Sequence, residues 1–205
     1  VLLAENNKGY DNLIKIVSYG FKDGFYYKPR VDIELLEKYH EGIIALSACL
    51  AGPVARTIIR QSYDKGKEVA LRYNNIFGEN NFFLELQDHM DGSVDQQTVN
   101  QSLMRMHQET GIPLVATNDC HYISPEDAEA HDILLCIQTN TTVDEADRMR
   151  YEGGQYYVKS PEEMYSLFPY AHQACENTYK IAQRCNVEFE FGNYKLPVFD
   201  VPEGK

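Results

Sequence analysis

Asp119 and His121 stand two residues apart in Thr117-Asn118-Asp119-Cys120-His121-Tyr122, directly after the apolar run Ile112-Pro113-Leu114-Val115-Ala116. If that run is a buried strand, successive side chains alternate between faces, so Asp119 and His121 point the same way. A carboxylate and an imidazole in that relation can reach one cation together, and such a donor pair suits zinc, manganese or iron better than calcium. Taken alone, such a pair is more often solvated or capping than metal-bound. Two further apolar runs end in donors of their own. Ile43-Ile44-Ala45-Leu46-Ser47 leads through Ala48 to Cys49, and Phe82-Phe83-Leu84-Glu85-Leu86 leads through Gln87-Asp88 to His89.

The runs beginning at Ile43, Phe82 and Leu114 are separated by stretches of helical periodicity, the alternation that builds βα units of a parallel sheet or barrel. In such folds sites gather beyond the C-terminal ends of the strands. Cys49, His89, Asp119 and His121 are therefore expected near one rim. The opening Val1-Leu2-Leu3-Ala4 reads as a strand cut at its start, and neither it nor any other run has the length of a membrane span.

The helices that must hold this rim are marked by stripes and punctuation. Leu13, Ile14 and Val17 predict one helix, followed by a loop over residues 20–30. Asp32 caps a short one through Leu36 and Tyr39, with Gly42 closing it. Val69, Tyr73 and Ile76 mark a helix stopped by Gly78, and Val99, Leu103 and Met106 another stopped by Gly111. Ser124-Pro125-Glu126-Asp127 reads as cap, N1 proline and acidic N3 for a helix over Ala128 to Cys136, aimed away from the candidate rim. Ser160-Pro161-Glu162-Glu163 repeats the device. Ala171, Ala174, Cys175, Thr178, Ile181, Ala182 and Cys185 predict one continuous buried face on a last helix.

The chain has 205 residues, 43% of them hydrophobic, enough for one substantial α/β core. Its net charge of −12 repels phosphate backbones, so any nucleic-acid contact must be local or metal-mediated. Lys28 with Arg30, Arg56 with Arg60, and Arg148 with Arg150 are small basic clusters that read as solvated faces. Five scattered cysteines without a CxxC pair fit neither a disulfide framework nor a zinc ribbon, which points to a reducing, cytoplasmic setting.

The longer stretches Gly24-Phe25-Tyr26-Tyr27-Lys28-Pro29-Arg30-Val31-Asp32, Ala45-Leu46-Ser47-Ala48-Cys49-Leu50, Phe83-Leu84-Glu85-Leu86-Gln87-Asp88-His89, Val115 to Tyr122, Glu129 to Thr139, Lys159 to Met164 and Ile181 to Val187 follow one another in an order that resembles the PHP (polymerase and histidinol phosphatase) domain of bacterial replicative DNA polymerase III alpha subunits. The resemblance implies an α/β fold, a distorted β/α barrel that is incomplete here, with parallel strands alternating with helices. It implies residues 1–187 as the C-terminal part of that domain and 188–205 as a strand and linker toward a polymerase palm. By motif match, Cys49, Asp119 and His121 take metal-ligand positions, and His89 a supporting or phosphate-contacting one. His131 reads as a hydrogen-bonded structural residue, and His40, His107 and His172 as surface residues.

The implied cofactors are divalent ions: zinc, manganese or iron at the PHP site, and magnesium at a palm site outside this sequence. The implied partners are DNA, deoxynucleoside triphosphates, a sliding clamp and a proofreading subunit. The family's His-x-His motif and its first Glu and His ligands are not in this sequence, so a trinuclear centre is not expected from these residues alone, nor DNA polymerisation. The exposed edge left by missing strands predicts self-association. Three functions follow from the resemblance: phosphoester hydrolysis as a 3′ to 5′ exonuclease or pyrophosphatase, a non-catalytic metal-stabilised scaffold and docking module, and a free-standing phosphatase such as a histidinol phosphatase.

Overall fold

The computed structural model describes residues 1–90, 92–194, 196–197 and 199–201. The chain runs β1 (Leu2–Ala4), α1 (Asn7–Lys22), α2 (Ile33–Tyr39), β2 (Ile43–Leu46), α3 (Pro53–Arg60), α4 (Tyr63–Phe77), β3 (Phe82–Leu86), α5 (Val94–Thr110), β4 (Leu114–Ala116), a 3-10 turn (Pro125–Asp127), α6 (Ala128–Thr139), α7 (Pro161–Leu167) and α8 (His172–Arg184). The four strands form one sheet in the order β1-β2-β3-β4. β2, β3 and β4 are parallel, as expected; β1 is antiparallel to β2, with Leu2 opposite Ala45 and Ala4 opposite Ile43. A three-residue apolar run carries no direction, so strand polarity there follows from how α1 and α2 return the chain to the sheet. Among the described strands β1 and β4 each pair with a single neighbour, so the sheet is mixed and does not close.

Strand alternation sorts the core into two clusters. Ile43, Ala45, Phe82, Leu84, Leu86, Leu114 and Ala116 pack with Ile16, Val54, Ile58, Ala70, Leu103 and Met106 from the helices. Ile44, Phe83 and Val115 form a smaller cluster with Ile181 of α8. Helix starts follow the cap signals: Asp32 accepts from the Leu35 N–H at 2.9 Å, and Ser160 and Glu163 form a reciprocal capping box at α7. Gly111 ends α5 in the left-handed conformation at φ 75°.

Three expectations about packing need correction. On α1 the buried face is Gly9, Asn12, Ile16 and Gly20, while Ile14 and Val17 are exposed. Close approach decides this: a Cβ on Gly9 would lie 1.8 Å from the Gly42 carbonyl oxygen, so the helix turns its small residues inward. On α8, Thr178 and Ala182 are exposed and Asn177 is buried instead, its Nδ2 donating to the Leu114 carbonyl of β4 at 2.7 Å. Over residues 187–194 no strand forms. That segment binds the start of α1, where the Glu188 N–H donates to Asn7 Oδ1 and Asn7 Nδ2 donates back to the Glu188 carbonyl, while Phe189 meets Tyr10 edge-on. The expected linker residues Pro202 and Gly204 lie outside the described residues. Among the described residues no helix is long and apolar enough to cross a membrane.

Candidate metal site

The C-terminal ends of β2, β3 and β4 continue the sheet ladder by one residue on each side of β3. The Ser47 N–H donates to the Phe83 carbonyl at 3.0 Å, and the Thr117 N–H to the Leu86 carbonyl at 3.0 Å. Beyond these points the chain leaves the sheet, and the donors singled out from sequence sit in the loops that follow.

The Asp119–His121 loop is held by the segment 155–158. The Tyr156 carbonyl accepts from the His121 N–H at 2.7 Å and the Tyr122 N–H at 3.2 Å, and Asn118 Nδ2 donates to the Tyr157 carbonyl at 2.7 Å. So fixed, Asp119 Oδ1 lies 3.2 Å from His121 Nε2, with both side chains partly open to solvent. Around a tetrahedral zinc with bonds of about 2.1 Å, neighbouring ligand atoms lie roughly 3.4 Å apart. The pair therefore fits a shared cation, and the same spacing serves a direct hydrogen bond between the two. Aromatic rings enclose His121: Tyr151 at 4.4 Å, His131 at 5.4 Å and Tyr156 at 5.9 Å between centroids.

His89, after β3, stacks on Tyr156 with centroids 4.6 Å apart and planes 13° from parallel, which puts it one ring away from His121. His131 lies nearer the site than a helix aimed away from it predicts. Helix α6 turns it toward the site, where it packs against His121, Tyr122 and Tyr151. His107 is not a simple surface residue either, because its Nδ1 lies 2.7 Å from the Ile112 carbonyl beyond the C-terminus of α5. His40 and His172 are exposed. The Arg148 side chain is largely covered rather than solvated, its guanidinium meeting the Asp132 carboxylate through two contacts of 2.6 Å that hold Asp132 below its usual pKa range.

Cys49 is exposed in the β2–α3 loop. Its loop is tightly wound: Ala48 has φ +64°, and a Cβ on Gly52 would lie 2.3 Å from the Ser47 carbonyl oxygen. Among the described residues no three His, Cys, Asp or Glu side chains converge as a metal ion requires. The structure thus brings Asp119 and His121 together and does not gather Cys49 with them into one three-donor group.

What sequence reading missed is the polar floor between these loops. Glu85, 5% exposed, accepts from the Ala48 N–H at 2.8 Å and from the Thr117 hydroxyl at 2.5 Å, and its own N–H donates to Ser47 Oγ at 2.8 Å. Gln87 and Asn100, also buried, extend the network to α5, with Asn100 Nδ2 donating to the Gln87 carbonyl at 2.8 Å. One signal was available: a carboxylate inside an apolar strand, next to its C-terminal residue, must find donors to stay buried.

Residues 1–89 match the PHP domain. Over 98% of its length the chain is 42% identical to the DNA polymerase III subunit alpha of Borreliella burgdorferi, and 41% identical to that of Treponema pallidum, again over 98%. Over its whole length it is 40% identical to the subunit of Thermus aquaticus. The chain spans 17% of the length of each of these relatives.

Proposed function

We infer that this chain works as part of a DNA polymerase III alpha subunit, and that Asp119, His121 and Cys49 contribute to a divalent-metal site for phosphoester hydrolysis, as a 3′ to 5′ exonuclease or a pyrophosphatase. The observation that carries the metal reading is the 3.2 Å approach of Asp119 Oδ1 to His121 Nε2 just beyond β4. A zinc, manganese or iron ion bound there supplies polarisation of phosphoryl oxygens and a bound water of lowered pKa. The chain's own residues do the rest. Asp119 and His121 offer an oxygen and a nitrogen donor from one loop, the Tyr156 carbonyl fixes that loop, and Tyr151 with Tyr156 limits water on one side of the imidazole. Magnesium belongs to the palm of such a polymerase. DNA, deoxynucleoside triphosphates, the sliding clamp and the proofreading subunit are partners of the whole protein, in the cytoplasm.

Replacing Asp119 with Asn in the full-length protein tests the reading. The expected result is loss of bound metal and of PHP-dependent nuclease or pyrophosphatase activity, with polymerisation retained. Unchanged metal content would overturn it.

A second reading, a metal-stabilised scaffold and docking module without turnover, is favoured by the lack of a converged three-donor group among the described residues. Chelation separates the two. A scaffold loses melting temperature and its grip on the proofreading subunit while never hydrolysing a phosphoester. A free-standing phosphatase is disfavoured because the relatives named above are DNA polymerase III alpha subunits matched over nearly the whole chain.

A further inference from the structure

Among the described residues Glu85 is the one acidic side chain buried in the core, and it sits where the two candidate ligand loops leave the sheet. One carboxylate oxygen, Oε2, accepts from the backbone N–H of Ala48, the residue before Cys49. The other, Oε1, accepts from the hydroxyl of Thr117, two residues before Asp119. Gln87 Nε2 supports this second contact from 3.4 Å and reaches Thr117 Oγ1 at 3.1 Å. A carboxylate is suited to this place because it accepts on both sides and donates on neither. The left-handed backbone of Ala48 is costly for a residue with a Cβ and persists only where its surroundings dictate it; the bond to Glu85 is one such constraint.

The geometry points to Glu85 as a positioning residue that ties the Cys49 loop to the Asp119–His121 loop, so that both hold their donors toward the divalent-metal site proposed above. It rests on the metal reading above. Glu85 does not itself touch the ion in this assignment. Its work is to pin one loop by a main-chain amide and the other by a hydroxyl, from a strand that lies between them.

Cobalt(II) is the probe, titrated into the metal-free full-length protein. Thiolate-to-cobalt absorption in the near ultraviolet reports the Cys49 side, and a Cys49→Ser control assigns that band. Glu85→Leu removes both acceptors; the expected result is a 10- to 100-fold weaker cobalt affinity, the range seen for residues that orient ligands, with the thiolate band lost. Glu85→Gln keeps one acceptor for Ala48 and lets the Thr117 hydroxyl reverse its role, so most of the affinity and the band should return. Thr117→Val frees only the Asp119 side, so it should weaken cobalt while keeping the band, and it carries the test if Glu85→Leu fails to fold.

Glu85→Leu binding cobalt like the unaltered protein overturns the proposal, as does a Glu85→Gln protein no better than Glu85→Leu, which would make the charge itself the active feature. Thr117→Val indistinguishable from the unaltered protein also overturns it. An unaltered protein that takes up no cobalt refutes the metal reading itself, and with it the proposal, in an arm that involves no variant.

Discussion

On one face of the sheet Phe82, Leu84, Leu86, Leu114 and Ala116 are sealed under helices that contribute Val54, Ile58, Leu103 and Met106. On the other face Ile44, Phe83 and Val115 meet Ile181 of α8, with Leu3, Leu46 and Cys185 at the margin. By strand alternation Glu85 belongs with Phe83 on this thinner side. The contrast separates two duties within one sheet. The crowded face supplies most of the apolar burial, in proportion to the area it removes from water. The sparse face leaves room for polar groups whose bonds fix loops rather than fill volume.

The comparison can be broken most forcefully at Phe82, which is 1% exposed on the crowded face. Phe82→Ala should cost about 3–5 kcal/mol, read as a lower urea midpoint at unchanged slope. A loss below about 1 kcal/mol would show that this face is not the main support. On the sparse face the expected loss is smaller and of another kind. Asn177→Ala leaves the buried Leu114 carbonyl without its donor and should cost about 1–3 kcal/mol, with α8 amides exchanging faster than those of α4. Equal exchange in both helices would deny α8 its dependence on that bond.

The smallest effect is expected away from both faces, at the contact between α4 and α5. There Glu109 accepts from Lys67 Nζ, the Tyr63 hydroxyl and Arg105 Nε, each at 2.7 Å. The Lys67 bond first, then those from Tyr63 and Arg105, bring the Glu109 pKa down to about 2; burial, reinforced by Glu109, pushes Tyr63 up to about 12. Because the folded pKa of Glu109 lies below its ordinary 4.5, its favourable contribution is complete above that value and is lost as pH falls toward about 2. Urea midpoints of the unaltered chain and Glu109→Gln should therefore differ at neutral pH and converge across that acid window. A gap that stays constant down to pH 2 would rule out this source.

Much of the frame was legible because short apolar runs between helical stripes leave few alternatives. The runs at Ile43, Phe82 and Leu114 are the three parallel strands, and the caps at Asp32 and Ser160 start the helices they announce. Periodicity failed where close approach outweighed apolar content, as on α1, and where a buried amide replaced an apolar side chain, as at Asn177. Asp119 and His121 were legible as a pair because two residues in an extended segment share a face. The turn of α6 that brings His131 against His121 was not, since it depends on a chain reversal that no local pattern encodes. Glu85 was only half legible: a carboxylate inside an apolar strand signals buried donors, but where all five strand residues are buried, alternation does not say which loops supply them.

The contact between Gly9 and Gly42 seats the first turn of α1 against the turn before β2 with no clearance for a side chain. The other end is seated as well: a Cβ on Gly20 would lie 3.3 Å from Val31 Cγ2, and one on Gly24, just past the helix, 2.1 Å from the Arg30 carbonyl oxygen. Sixteen residues of helix, about 24 Å, are thus braced at both ends, which makes α1 a strut that carries the exposed aromatics Phe21, Phe25, Tyr26 and Tyr27 away from the sheet.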